Sequence, residues 1–169
     1  MATRIRIIGV GSPFGDDRLG WTMVEMLRAS RVFQSAAGKI DFTVLDRPGF
    51  TLLNHMGIAD VIILIDAVRS GAKPGTLHLV AADNIESGTA VASSHGFGIA
   101  EALALARALG ELPDSIILCG VEIDMVEASE DLSPAVQKAL PVLKERIERM
   151  VVDINEGTAA TVTQDVFPA

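Results

Sequence analysis

Thiols, tyrosines and cationic residues are scarce in this chain, and each scarcity excludes something. Cys119 is the single cysteine among 169 residues, which rules out an intrachain disulfide framework and a thiolate metal cage. It ends the apolar run Ile116-Ile117-Leu118-Cys119, the setting of a buried, inert thiol rather than of a nucleophile. Aromatic residues make up 4%, with no Tyr and one Trp, so the core has to be aliphatic. Lys and Arg number 14 against 22 Asp and Glu, a net charge of −8. Phosphate-backbone binding needs clustered cations, so no nucleic-acid partner is expected. No apolar run approaches the roughly 18 residues of a membrane span. Met1 to Arg6 leads into strand-like sequence and glycine instead of a long apolar signal segment. The expectation is a cytoplasmic protein without a membrane partner, and a monomer by default. Two catalytic signatures are also missing: there is no Gly-x-Ser-x-Gly elbow and no His-Glu-x-x-His.

What is present is an apolar chain, 49% hydrophobic, that alternates strand-like and helix-like segments. Ile5 to Ile8 reads as a first buried strand, and Leu19, Met23, Met26 and Leu27 give a helix over about 17–29. A second strand is expected over 40–45, closed by the turn Asp46-Arg47-Pro48-Gly49, with a short helix or turn over 50–56. Val61 to Ile65 is a continuous apolar run, the mark of a strand covered on both faces and stopping at Asp66. The alternation over 75–80 predicts an antiparallel strand, because the connection from Asp66 is too short for a crossover helix. A mobile loop is expected over 81–94. A third helix follows through Ile99, Leu103, Ala106 and Leu109, then a last core strand over 115–119. Ser133-Pro134 opens a final helix with an N-cap and a first-turn proline. The predicted fold is a single three-layer α/β domain over 1–154. Its sheet is twisted and mainly parallel, of about five strands with one antiparallel, between helices on both faces; residues 155–169 form a loose tail.

Gly9-Val10-Gly11-Ser12-Pro13-Phe14-Gly15-Asp16-Asp17-Arg18-Leu19-Gly20 joins the first strand to the first helix. A glycine-rich turn there usually cradles phosphate. The dinucleotide fingerprint fails, however, because Phe14 stands where the third glycine belongs, and two carboxylates would repel a pyrophosphate. The loop is suited to a cation. Ligands of such sheets bind outside the carboxyl ends of the strands. Asp16, Asp17, Asp46, Asp66, Glu122 and Asp124 all follow predicted strands, and His95 precedes the third helix. Oxygen and nitrogen donors without sulfur suit Zn, Ni, Mn or Mg. Each residue also has a structural reading: Asp16 or Asp17 as a helix cap, Asp66 as a turn former, His95 as a cap. His55, in a helical turn, and His78, in an alternating strand, have no comparable setting.

The ordered set of motifs resembles the hydrogenase maturation endopeptidases, over roughly Ile5 to Met150. It comprises Gly9-Val10-Gly11 with Asp16-Asp17-x-x-Gly20, Val44-Leu45-Asp46 with Gly49, and Leu64-Ile65-Asp66-Ala67-Val68 with Gly71 and Pro74-Gly75. Ser94-His95, Gly120-Val121-Glu122 and Leu132-Ser133-Pro134 complete it. The resemblance implies a peptidase that removes the C-terminal extension of a nickel–iron hydrogenase large-subunit precursor once nickel is inserted. It also implies that Asp17, Asp66 and His95 are the catalytic and metal-recognising residues, with nickel supplied by the substrate and no resident cofactor. Asp17 is assigned by the x-x-Gly20 that follows it, and Asp16 is the reserve candidate. Family members usually carry Asn where this chain has Ser12, a loop one residue longer before the acidic pair, and Asp-Gly-Gly at the second-strand turn. Two other readings stand beside it: a non-catalytic, chaperone-like module that recognises a metallated partner through the same rim, and a nucleotide-binding α/β domain, motivated only by the glycine turn.

Overall fold

The structure is a computed structural model that describes residues 3–34, 40–82, 84, 92–93, 99–113, 115–124, 129–158 and 165–168. Its strands are β1 (Ile5–Gly11), β2 (Ile40–Asp46), β3 (Val61–Arg69), β4 (Leu77–Ala81), β5 (Ala92–Ser93), β6 (Ser115–Glu122) and β7 (Asp165–Phe167). Its helices are α1 (Leu19–Arg28), α2 (Arg31–Gln34), α3 (Leu52–Met56), α4 (Ile99–Leu109) and α5 (Pro134–Glu156), with 3-10 turns at Gly15–Arg18 and Gly49–Thr51. The sheet order is β2-β1-β3-β6-β4-β7, and β5 adds to the end of β3. The β1, β2, β3 and β6 pairings are parallel, and β4, β5 and β7 join antiparallel.

The parallel core follows from sequence runs that are apolar on both faces. Residues of β3 from Val61 to Val68 are all buried, as a strand between two helical layers requires. One face carries Ile63, Ile65, Cys119 and Val121 against Leu19, Met23 and Leu27 of α1 and Val136, Leu140, Leu143 and Ile147 of α5. The other carries Ile62, Leu64, Val68 and Leu118 against Leu52 and Met56 of α3 and Ile99, Ala102 and Leu103 of α4. The α5 stripe recurs every three or four residues, and the Ser133 hydroxyl caps its start by accepting from Val136 N–H.

Several expectations need correction. The third strand does not stop at Asp66 but runs to Arg69, and the last core strand runs past Cys119 to Glu122. Both extensions have the same cause: the polar side chains are accommodated within the ladder, because β6 pairs Gly120 with Asp66 and Glu122 with Val68. The sheet has more than five strands. Residues 155–169 are not loose throughout, since α5 continues to Glu156 and β7 pairs with β4 from Leu77 to Leu79. Arg146 of α5 also lies over the Phe167 ring, 4.1 Å from its centroid. Most of the loop expected over 81–94 lies outside the described residues; Ala81 ends β4, and Ala92–Ser93 form β5.

Candidate active site

The glycines of the first turn let a helix lie directly against strand backbone. A Cβ on Gly20 would stand 2.2 Å from the Val10 carbonyl oxygen and 2.7 Å from that of Ile65. A Cβ on Gly11 would stand 2.3 Å from the Asp17 carbonyl oxygen, which accepts from Ser12 N–H at 3.2 Å. The close contact brings the Gly15–Arg18 turn down onto the ends of β1 and β3. The glycine pattern therefore serves backbone approach, not a phosphate cradle.

That approach buries both acidic residues of the turn, and they do different things. The Oδ1 atom of Asp16 accepts from Ser133 N–H at 2.6 Å, tying the turn to the start of α5. The Oδ2 atom of Asp17, 5% exposed, accepts from the Ser12 hydroxyl at 2.7 Å. Asp16 thus has the structural role that the sequence left open for one of the pair. Ser12, noticed in the sequence only as a departure from a family pattern, is the partner of Asp17.

Asp66 is fully buried in β3, one position beyond Gly9↔Ile65, where the pairing of β1 with β3 ends. Its Oδ1 atom accepts from the following N–H, that of Ala67, at 2.8 Å. Asp17 and Asp66 therefore come from separate segments to the carboxyl end of neighbouring parallel strands, the position where open α/β sheets place their sites. His95 lies outside the described residues. Among the described residues no three His, Cys, Asp or Glu side chains gather closely enough to hold a metal ion.

The other rim carboxylates separate by environment. Asp46 is exposed and bonds Arg47 Nε at 2.6 Å. The Arg47 guanidinium is held further above its ordinary value, first by that hydrogen bond and charge and to a lesser degree by the charge of Asp17. Arg47 N–H also bonds the Gly11 carbonyl at 3.0 Å, so the turn after β2 fences the Asp17 side of the rim. Asp124 is exposed and lines an open cleft of about 820 Å³ with Asp16, Asp131 and Pro134. Glu122 is not a rim group: it is 1% exposed and bonded to His78, which is itself 2% exposed. His78 was passed over because a strand sequence does not disclose its cross-strand register. Cys119 is fully buried, and burial pushes its thiol up to about 12, so it stays protonated and unreactive at neutral pH.

The sequence model of the hydrogenase maturation protease family, HycI, matches residues 24–150. The chain belongs to that family. Among curated relatives, it is 32% identical over 157 residues to the hydrogenase expression/formation protein HoxM of Azotobacter vinelandii, covering 86% of this chain and 74% of that protein. It is 26% identical over 167 residues to the hydrogenase 2 maturation protease of Escherichia coli K12, covering 97% and 98%. The fold matches the hydrogenase maturating endopeptidase HybD from E. coli with a TM-score of 0.73 at 24% identity, over 98% of this chain and 97% of that one. The maturation protease is thus a hydrolase of the peptidase class. No described helix is long and apolar enough to cross a membrane.

Proposed function

We propose that this peptidase removes the C-terminal extension of a nickel–iron hydrogenase large-subunit precursor after nickel insertion, in the cytoplasm. Asp17, Asp66 and His95 receive the nickel that the substrate carries. The observation that supports this most is the pair of buried carboxylates, Asp17 and Asp66, at the carboxyl ends of adjoining strands. Carboxylates in a poorly solvated edge attract a divalent cation more strongly than they would in water. Backbone connectivity favours the third member: Ser93 pairs with Val68, two residues beyond Asp66, so β5 delivers the chain to this end of β3 two residues before His95.

In this reading the enzyme needs no resident metal. Docking of the substrate's nickel against the carboxylates brings the neighbouring peptide bond to the rim. The metal polarises the scissile carbonyl or acidifies a bound water, and a carboxylate of the site takes up the water's proton as general base. The test is intact-mass analysis of nickel-loaded and nickel-free precursor incubated with enzyme. Release of a C-terminal peptide from the loaded precursor alone is expected, and Asp17→Ala, Asp66→Ala and His95→Ala each abolish it. Normal processing by His95→Ala would sink the assignment.

A further inference from the structure

Three adjacent strands place a row of residues on the α3–α4 face, level with Asp66. Asp66 of β3 pairs with Gly120 of β6, and Gly120 pairs in turn with His78 of β4. Paired residues point to one face, so Asp66 and His78 flank a position with no side chain. Val68 leans over the gap; a Cβ on Gly120 would come within 2.7 Å of its Cγ1. Glu122, two residues beyond Gly120, projects from the same face and pairs with Val68.

Each oxygen of Glu122 accepts twice. Oε1 takes Ser70 N–H at 2.8 Å and Gly71 N–H at 2.9 Å. Oε2 takes the Ser70 hydroxyl at 2.7 Å and His78 Nε2 at 3.0 Å. In that contact a carboxylate oxygen accepts and His78 Nε2 donates; His78 Nδ1 is buried and finds no partner among the described residues. The backbone of Glu122 is bound as well, its N–H to Thr76 O and its carbonyl to Gly75 N–H, each at 2.8 Å. A single side chain thus holds the turn that closes β3 to β6 and β4.

We propose that Glu122, oriented by His78, is a positioning residue: it pins the far end of β3 and thereby sets the place of Asp66 and of the β5 segment. Stability alone does not require a charged group here, since apolar replacements of buried ionic pairs are often neutral or stabilising. The arrangement instead fixes a geometry. Ser70 and Gly71 are exposed, and without Glu122 the end of β3 is held by its ladder and by Ile123 N–H on the Val68 carbonyl at 3.0 Å. The proposal rests on the reading of Asp66 as a site residue.

The experiment measures kcat and KM for peptide release from nickel-loaded precursor by intact mass, with urea midpoints for every variant. Glu122→Gln places an amide against His78 Nε2 and is expected to lower kcat about 10- to 100-fold, with KM nearly unchanged. His78→Leu lowers kcat as well, and His78→Gln, which keeps a donor for Oε2, regains much of that loss. A merely structural role would lower the urea midpoints and leave kcat of the folded variants at the wild-type value, which overturns the proposal. If Glu122→Gln fails to fold, Ser70→Ala decides: it removes one surface hydroxyl, and a wild-type kcat there overturns the proposal equally. Asp66→Ala runs alongside. Its activity would refute the site itself, whereas an inactive Asp66→Ala beside a fully active Glu122→Gln refutes only the role of Glu122.

Discussion

Asp16 and Asp17 are adjacent in the chain and buried to the same degree, yet their partners divide the work between them. Asp16 bonds the first N–H region of α5 through Ser133, and Asp17 is held by Ser12. Replacing Asp16 by Asn weakens a charge-assisted bond, so a lower urea midpoint is expected with processing retained. Asp17→Asn is expected to abolish processing with a much smaller change in the midpoint. Reversal of the two outcomes would move the site to Asp16. The sequence carried the acidic pair, the following Gly20 and the position after β1, but not which carboxylate turns toward which neighbour. That depends on α5, more than a hundred residues further on, lying against the turn. His78 and Glu122 illustrate the same limit. Their pairing depends on register across β6, and a sequence read strand by strand contains no register.

Among the elements, α5 shows how a stripe legible in sequence acquires a polar anchor that was not. Its apolar face was readable from the spacing of Val136, Leu140, Leu143, Ile147 and Met150. Glu148, on its flank, accepts from the Ser30 hydroxyl at the α1–α2 junction and from Lys144. Burial would raise the Glu148 carboxyl, but the bonds from Lys144 and Ser30 and the Lys144 charge together hold it below the usual carboxylate value. A carboxyl with a depressed folded value stabilises the fold above its unfolded value of about 4.3, and that contribution is lost as pH falls through the folded value. Glu148→Gln should therefore have a lower urea midpoint than wild type at neutral pH. The difference should close as the solution is acidified below that range. A gap that persists unchanged in acid would mean that Glu148 acts through packing instead of charge. Strands and helices of strong period were placed correctly in the sequence. Their ends were not, because Asp66 and Glu122 are polar residues inside strands, and composition alone reads a polar residue as a stop.

At the scale of the whole molecule, the sheet's last partner comes from far along the chain, at Asp165–Phe167. β7 covers the edge of β4, and Phe167 receives Arg146 of α5. An exposed strand edge is a template for pairing with other chains. Ending the chain after Thr158 is expected to lower the thermal midpoint and to produce concentration-dependent light scattering. Unchanged melting and a clear solution would show that β7 adds nothing to the sheet. The strand order also sets a schedule during synthesis. β2 and β3 can pair as soon as they are made, because each neighbours the earlier β1. β4 cannot: its partner on one side, β6, begins at Ser115, and its partner on the other, β7, begins at Asp165. At translation speeds of about 5–20 residues per second, the nascent chain holds the apolar segment Leu77–Ala81 with both edges open for seconds. The second edge closes only once the segment from Asp165 has been made.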